Sequence, residues 1–205
     1  MMMNRRFFLL GSAALLSACA ESKWAPDEAV MKAAYHDPGP PSITLITAIN
    51  NRNGQGGHSA LLINASQRVL FDPAGTWWHR TVPERNDVLY GITPTMWKFY
   101  VDYHARKTYH VVLQTREVPA EVAEEAKRLV EANGAVAKAH CAYATSGILR
   151  KLPGFESLPR TYFPHKLMAA FAELPGVRTE RIYQDDGDNN KALLAAQQNM
   201  PVGAN

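Results

Sequence analysis

Cys141, His58 and Asp72 are the residues whose types and positions could support nucleophilic catalysis. Cys141 opens an apolar run with helical spacing that ends at Pro153-Gly154, so its thiol is expected at a helix N-terminus. His58 begins a predicted strand directly after Gly56-Gly57, and Asp72 ends the following predicted strand. A thiol, an imidazole and a carboxylate are the groups that acyl transfer through a cysteine requires.

Each of the three groups has a defined task in this chemistry. A thiol has a pKa of about 8.5, so Cys141 must be activated, and the partial positive charge of a helix N-terminus favours its thiolate. His58 would accept the thiol proton and return it to the leaving group. Asp72 would accept a hydrogen bond from the other ring nitrogen and orient the imidazole. The backbone N–H at Cys141 would bind the oxyanion that forms when the thiolate attacks a carbonyl.

The predicted strands bring two of these groups together. Residues 42–50 form a first β-rich run, and residues 58–64 and 68–72 form a hairpin around Ala65-Ser66-Gln67. The outer ends of such a hairpin are neighbours. His58 is therefore expected beside Asp72.

The remaining elements predict one α+β domain at residues 41–184. Thr93 caps a helix that starts at Pro94 and carries Trp97, Tyr100, Val101 and His104 on one face. Further helices are predicted at 119–133, 141–152 and 164–174, strands at 108–115 and 177–183, an irregular loop with exposed aromatic residues at 77–91, and a frayed polar tail at 185–205. Strands first, then helices mixed with strands, are typical of the α+β class.

The N-terminus has the three parts of a secretory signal. Arg5-Arg6 precede an apolar stretch of about ten residues, which is too short to span a bilayer, and Leu16-Ser17-Ala18-Cys19 follows. That last motif resembles the bacterial lipobox, which predicts a signal peptide at 1–18, a lipidated Cys19 and a Pro/Gly-rich tether at 19–40. The alternative is an ordinary signal peptide with a chance cysteine.

Two further N-terminal features concern the export route and the membrane in which the protein resides. Asn4-Arg5-Arg6-Phe7-Phe8 resembles a twin-arginine motif, although two arginines also suit an ordinary basic start, so both export routes stay open. Ala20 stands where an Asp would, by resemblance to bacterial lipoproteins, signal retention in the inner membrane. We therefore expect a lipid-anchored protein of the outer membrane that faces the periplasm.

Export to an oxidising compartment would make the unpaired thiol of Cys141 significant. The chain has two cysteines, and lipidation of Cys19 would leave Cys141 without an intrachain partner. An unpaired thiol in an oxidising compartment invites unwanted bridging. Cys141 is therefore expected to be either a buried inert thiol or a nucleophile.

Charge and histidine spacing exclude other classes. Loss of the signal removes two of the 22 basic residues against 19 acidic ones, and the nearly neutral chain that is left shows no basic face for nucleic acid. His36, His79, His104, His110, His140 and His165 show no metal-ligand spacing, and Asp185-Asp186-Gly187-Asp188-Asn189 lacks the closing Glu of a calcium loop. No metal or other cofactor is expected, and the sequence does not indicate an oligomeric state.

Short motifs over residues 42–183 resemble the circularly permuted, papain-like NlpC superfamily, which includes the lecithin retinol acyltransferase-like proteins. The matching pieces are residues 57–63 around His58, residues 69–72 ending in Asp72, residues 139–143 around Cys141, and Pro164-His165-Lys166-Leu167. In this permuted group the cysteine helix follows the histidine strand. The long insert between Asp72 and Cys141 and the presence of His140, where several relatives carry Asn, depart from the group.

The resemblance implies a fold and an activity. The fold is a small antiparallel sheet packed against helices, one of which carries the nucleophile. The activity is that of a cysteine hydrolase or acyltransferase, with Cys141, His58 and Asp72 as the catalytic residues. The substrate is an amide or ester in a peptidoglycan peptide or an acyl lipid, and no cofactor is implied.

Two other classes of function remain open. A catalytically silent envelope lipoprotein could bind peptide or lipid in the same groove. A structural lipoprotein could bury Cys141 as a packing residue, since free cysteine is among the most buried residue types. His58 as a strand-end hydrogen bonder and Asp72 as a turn former in Asp72-Pro73-Ala74-Gly75 are the corresponding non-catalytic interpretations.

Overall fold

A computed structural model of the chain describes residues 22–197. The predicted signal peptide at 1–18, the predicted lipidation site Cys19 and the end of the predicted tail lie outside the described residues. Between residues 22 and 197, no helix combines the length and the apolar character that a membrane crossing requires.

An antiparallel sheet forms the centre of the described part of the chain. Its longest strands, β1 (Ser42–Asn50), β2 (Gly56–Asn64) and β6 (Tyr109–Glu117), lie side by side with β1 between the other two. The shorter strands are β3 (Arg68–Phe71), β4 (Glu84–Arg85), β5 (Val88–Tyr90) and β7 (Arg178–Ile182), and the order across the sheet is β4-β5-β3-β2-β1-β6-β7. The predicted first strand and the predicted hairpin are confirmed.

Helices lie before, between and after the strands. Those of the described residues are α1 (Asp27–Ala33), α2 (Pro94–His104), α3 (Ala120–Glu131), α4 (Cys141–Leu149), α5 (Pro164–Ala172) and α6 (Asn190–Ala196). The predicted start of α2 is confirmed, because the Thr93 side chain accepts a hydrogen bond from the Met96 backbone N–H at 3.3 Å. α4 ends three residues earlier than predicted.

Apolar side chains cover both faces of the sheet. Successive residues of a strand point to opposite faces, and Leu61 packs in a cluster with α3, α4 and α5, whereas Leu62 packs in a second cluster with α2. The largest buried rings follow the same division, with Phe171 of α5 in the first cluster and Tyr100 of α2 in the second. The predicted α+β class is confirmed, with helices on both sides of the sheet.

The prediction of an irregular loop with exposed aromatic residues at 77–91 is wrong in two respects. β4 and β5 form a hairpin there, and Asn86 and Asp87 at its turn have φ of 45° and 69°. Two successive positive φ values belong to the tight turn whose twist matches a hairpin. Trp77 and His79 are also buried, and Trp78 alone of the three aromatic residues at 77–79 is exposed.

The predicted tether and tail contain ordered elements as well. α1 occupies part of the segment that was expected to be a linker, and the nearby backbone joins the sheet through a bridge between Trp24 and Arg85. α6 lies in the segment that was expected to be frayed, with Leu194 buried against the second cluster. The Gln197 side chain accepts from the Arg80 backbone N–H and donates to the Trp78 carbonyl, and these two hydrogen bonds hold the C-terminal end of α6 in place.

Candidate active site

His58 and Asp72 lie side by side, as the hairpin predicts. Leu61 and Phe71 form the last registered pair of β2 and β3, and Asp72 follows directly after it. Nε2 of His58 is 2.6 Å from Oδ1 of Asp72, and the Asp72 side chain is only 3% exposed. The imidazole is thus oriented by a buried carboxylate.

A β-bulge sets the direction of the His58 side chain. Ala48 pairs with His58 and Ile49 pairs with Gly56, so Gly57 is an extra residue in β2. Bulges bend a strand and redirect the neighbouring side chain. A Cβ at Gly57 would lie 2.6 Å from Cε1 of Tyr109, so only glycine fits this close approach.

A strained loop holds Asp72. The Gly75 backbone N–H donates to the Asp72 carbonyl at 2.9 Å, and Ala74 between them has a left-handed φ of 56°. A Cβ at Gly75 would overlap the Asp72 carboxylate. The loop therefore packs the Asp72 carboxylate directly against the Gly75 backbone.

Cys141 is the first residue of α4, where the prediction placed it. Its backbone N–H and that of Ala142 belong to the first turn, whose N–H groups have no intrahelical acceptor. The chain enters the helix through Ala139 at a left-handed φ of 65°, and Nδ1 of His140 donates to the Lys138 carbonyl. The free thiol of Cys141 is 8% exposed. The predicted oxyanion site at this N–H stays a prediction.

The thiol of Cys141 and the imidazole of His58 are electrostatically coupled. Burial opposes the thiolate, but the hydrogen bond and charge of His58, with the backbone N–H groups of Ser59 and Ala142, bring the pKa of Cys141 below its ordinary value. Burial likewise opposes the imidazolium, yet Asp72 and then Cys141 raise the pKa of His58 to about 10. Since Nε2 of His58 is engaged by Asp72, Nδ1 is the ring nitrogen left for the sulfur. This is the arrangement of an activated nucleophile.

Tyr100 is a member of the site that the sequence reasoning missed. Its hydroxyl donates to Oδ1 of Asp72 at 2.7 Å, so the same carboxylate oxygen serves both Tyr100 and His58. Burial favours the neutral acid, but His58 first, then His104 and Tyr100, hold the pKa of Asp72 below its usual range. Burial and the adjacent carboxylate raise the pKa of Tyr100, so its hydroxyl stays protonated and remains a donor.

His104, one turn after Tyr100 on α2, is the second missed member. Its ring stacks on that of His58 with centroids 5.6 Å apart and 10° between the planes. Nδ1 of His104 donates to the Tyr100 carbonyl at 2.9 Å, and burial lowers the pKa of His104 to about 4. His104 is therefore a neutral ring beside a charged one. The helical spacing of Tyr100 and His104 predicts that they share a helix face, but it does not indicate that this face contacts Asp72 and His58.

Three of these side chains also approach one another closely enough to hold a metal ion. One ligand atom each of His58, Asp72 and His104 lies within 4.8 Å of the others. Nε2 of His58 and Oδ1 of Asp72 are, however, already bonded to each other, and that oxygen accepts from Tyr100 as well. Such bonding favours a proton-transfer pair over a metal centre. The spacing of the three residues along the chain does not indicate a metal site because they lie on separate elements.

A cavity of about 460 Å³ adjoins His58 and His104. Polar residues line much of it, with Thr76 and Tyr103 hydrogen bonded to each other at 2.9 Å. Asp188, from the segment that leads into α6, binds the Thr108 backbone N–H and hydroxyl along its wall. The predicted tail, through Asp188, thus contributes to the cavity beside His58 and His104.

No protein family, curated protein or solved structure matches the chain significantly. The geometry around Cys141 and the motifs of the sequence are therefore the observations that bear on function.

Proposed function

We propose that the protein is a cysteine hydrolase or acyltransferase that acts on an amide or ester through a covalent thioester. The observation that supports this most strongly is the buried chain of contacts from the Cys141 thiol through His58 to Asp72. The order of these residues along the sequence also supports the proposed membership of the permuted papain-like group, as do helices packed against an antiparallel sheet.

The reaction would begin at the sulfur. The Cys141 thiolate attacks the carbonyl carbon, and the backbone N–H groups at the start of α4 stabilise the oxyanion. Formation of the C–S bond gives the tetrahedral oxyanion. When this oxyanion collapses, the bond to the amine or alcohol breaks and the leaving group takes its proton from the His58 imidazolium. His58 then deprotonates a water or an acceptor alcohol or amine, which attacks the thioester and releases Cys141. Asp72 keeps the imidazole oriented throughout.

We also propose that this chemistry takes place in the cell envelope. The signal motif and the lipobox at Cys19 support an exported protein that is anchored by lipid, with the outer membrane as its address and the periplasm as its compartment. The substrate would then be a peptidoglycan peptide or an acyl lipid.

Covalent trapping tests the proposed activity. The full chain carrying Cys19→Ser is incubated with p-nitrophenyl acetate, and intact mass and nitrophenolate release are followed. We expect a burst of nitrophenolate and an acetyl group on Cys141, and we expect both to be absent in Cys141→Ala and slowed about 10²–10⁴-fold in His58→Ala, the usual size of general-base catalysis. A wild-type chain that acquires no acetyl group at Cys141 would reject the enzyme in favour of a silent binding protein.

Competition identifies the substrate class. Acetylation of Cys141 is repeated in the presence of purified peptidoglycan fragments or of phospholipid vesicles. The class of ligand that binds at the candidate site slows acetylation of Cys141, whereas the other class leaves the rate of acetylation unchanged.

A further inference from the structure

Aromatic rings gather at the surface beside Cys141. Tyr143 of α4 stacks on Tyr162 with centroids 4.4 Å apart and 11° between the planes, and His140 meets Tyr162 edge-on at 5.3 Å. Tyr162 is 50% exposed and the adjacent Phe163 is 53% exposed. We call Tyr143, Tyr162 and Phe163 the aromatic patch.

Cations accompany these rings. The Arg160 guanidinium lies 3.9 Å from the centre of the Tyr143 ring, and Nζ of Lys166 lies 4.7 Å from that of Phe163. Both cations are exposed. The aromatic patch is therefore an apolar surface with positive charge held against it.

The segments that carry the patch contain no acidic or amide side chain. Residues 138–151 and 159–168 have neither Asp, Glu, Asn nor Gln, although the whole chain is close to neutral. Carboxylates would repel an anionic surface, so their absence leaves the positive charge of Arg160 and Lys166 uncompensated within these segments, and the amphipathic tyrosine rings suit the headgroup region of a bilayer.

The patch is joined to both halves of the candidate site. Tyr143 lies on the same helix as Cys141, two residues later. The start of α5 packs against the start of β2, because a Cβ at Gly56 would lie 2.6 Å from Cβ of Pro164, and His58 is two residues further along β2. A surface bound by the patch would therefore lie at the Cys141 end of the domain.

We propose that the aromatic patch docks the Cys141 end of the domain on a bilayer that contains anionic phospholipid. Tyr162 and Phe163 enter the headgroup region, and Arg160 and Lys166 contact lipid phosphates. Docking is independent of the chemistry at Cys141. If the proposed function also holds, docking favours the acyl lipid over the peptide as its substrate.

A local fluorescent probe tests the docking. The full chain with Cys19→Ser and Cys141→Ala receives Phe163→Cys or, as a control outside the patch, Tyr183→Cys at a residue that is 62% exposed. Each new thiol is labelled with nitrobenzoxadiazole, and vesicles of phosphatidylcholine with and without phosphatidylglycerol are added. Binding through residues 1–18 is common to both chains, so the difference between the two positions reports the patch.

We expect a blue shift for the probe at position 163 with phosphatidylglycerol vesicles, loss of that shift in high salt, and no shift at position 183. The double change Arg160→Glu and Lys166→Glu should weaken vesicle binding of the 163-labelled chain about 10-fold or more, since each cation near an anionic surface contributes to binding. A silent probe at 163, equal shifts at both positions, no effect of the charge reversal, or a shift with peptidoglycan fragments alone would overturn the proposal. None of these results depends on Cys141 reactivity.

Discussion

Oδ1 of Asp72 is the atom on which the candidate site converges. It is hydrogen bonded both to Nε2 of His58 and to the hydroxyl of Tyr100, and the Asp72 side chain is buried. A buried carboxylate needs such partners because its desolvation is costly. The Tyr100 hydroxyl therefore supports the ionised state on which the orientation of His58 depends.

Tyr100→Phe removes this hydrogen bond without removing the ring. We expect a loss of about 1.5–3 kcal/mol in the free energy of unfolding, the usual contribution of a hydrogen bond to a charged group, and a slower acetylation of Cys141. The matched control is Tyr103→Phe, which removes a bond to the neutral Thr76 hydroxyl and should cost about 0.5–1.5 kcal/mol without slowing acetylation. Urea denaturation and the acetylation assay measure both, and equal effects of the two changes would contradict the special role of Tyr100.

At the scale of residues, the sequence predicted the positions of His58, Asp72 and Cys141, but it did not predict that Tyr100 and His104 belong to the candidate site. Strand-end positions and a helix start were sufficient to select His58, Asp72 and Cys141. Tyr100 and His104 were recognised as sharing a helix face, yet their partners come from another element. Helical spacing alone does not distinguish a packing stripe from a row of side chains that binds a carboxylate.

Left-handed residues in loops help to fix the positions of Asp72 and Cys141, whereas His58 lies within β2. Asp72 is followed by a loop in which Ala74 is left-handed and Gly75 lies against the carboxylate, and Cys141 is preceded by the left-handed Ala139. Such backbone strain costs about 1–3 kcal/mol per residue and persists where its surroundings impose it.

Gly75→Ala should displace the Asp72 carboxylate without changing any ionisable group. The added methyl group overlaps that carboxylate, so we expect a stability loss of about 1–3 kcal/mol and a slower acetylation of Cys141. Gly187→Ala is the control, since a Cβ there meets no atom within 4 Å. Circular dichroism shows whether the fold is retained. Unchanged acetylation in Gly75→Ala would mean that Asp72 does not orient His58.

The elements that the sequence prediction missed share a physical cause. β4 and β5 are very short and turn through Asn86-Asp87, which lacks the glycine that usually marks such a turn. α6 is only seven residues long, and it is stabilised by contacts of Leu194 and Gln197 with distant parts of the chain. Tertiary contacts, not local patterns, define these elements.

Across the whole molecule, the ion pairs of the site couple folding to pH. The folded pKa of His58 is raised to about 10, so its stabilising effect is complete below the unfolded value of about 6.5 and is lost as the pH rises toward 10. The folded pKa of Asp72 is lowered, so its contribution is present above about 3.8 and is lost on acidification. Together they favour the folded state most between about pH 4 and 6.5.

In a Cys141→Ala background, which removes the linked titration of the thiol, we therefore expect the stability difference between the chain with His58 and the chain with His58→Gln to decrease steadily from pH 6 to pH 10. The measurement is urea denaturation at fixed ionic strength across this range. His110→Gln provides a control at a half-buried histidine whose pKa is lowered rather than raised. A difference that grew with pH would mean that folding does not raise the pKa of His58.

The alkylation rate of Cys141 as a function of pH tests the central claim most directly. In the full chain with Cys19→Ser, Cys141 is the one thiol, and its reaction with iodoacetamide is followed by mass spectrometry from pH 4 to 9. We predict a midpoint below the ordinary value of about 8.5 and a return to or above that value in His58→Ala. A wild-type midpoint at or above 8.5, or one that His58→Ala leaves unchanged, would contradict the pairing of this sulfur with His58.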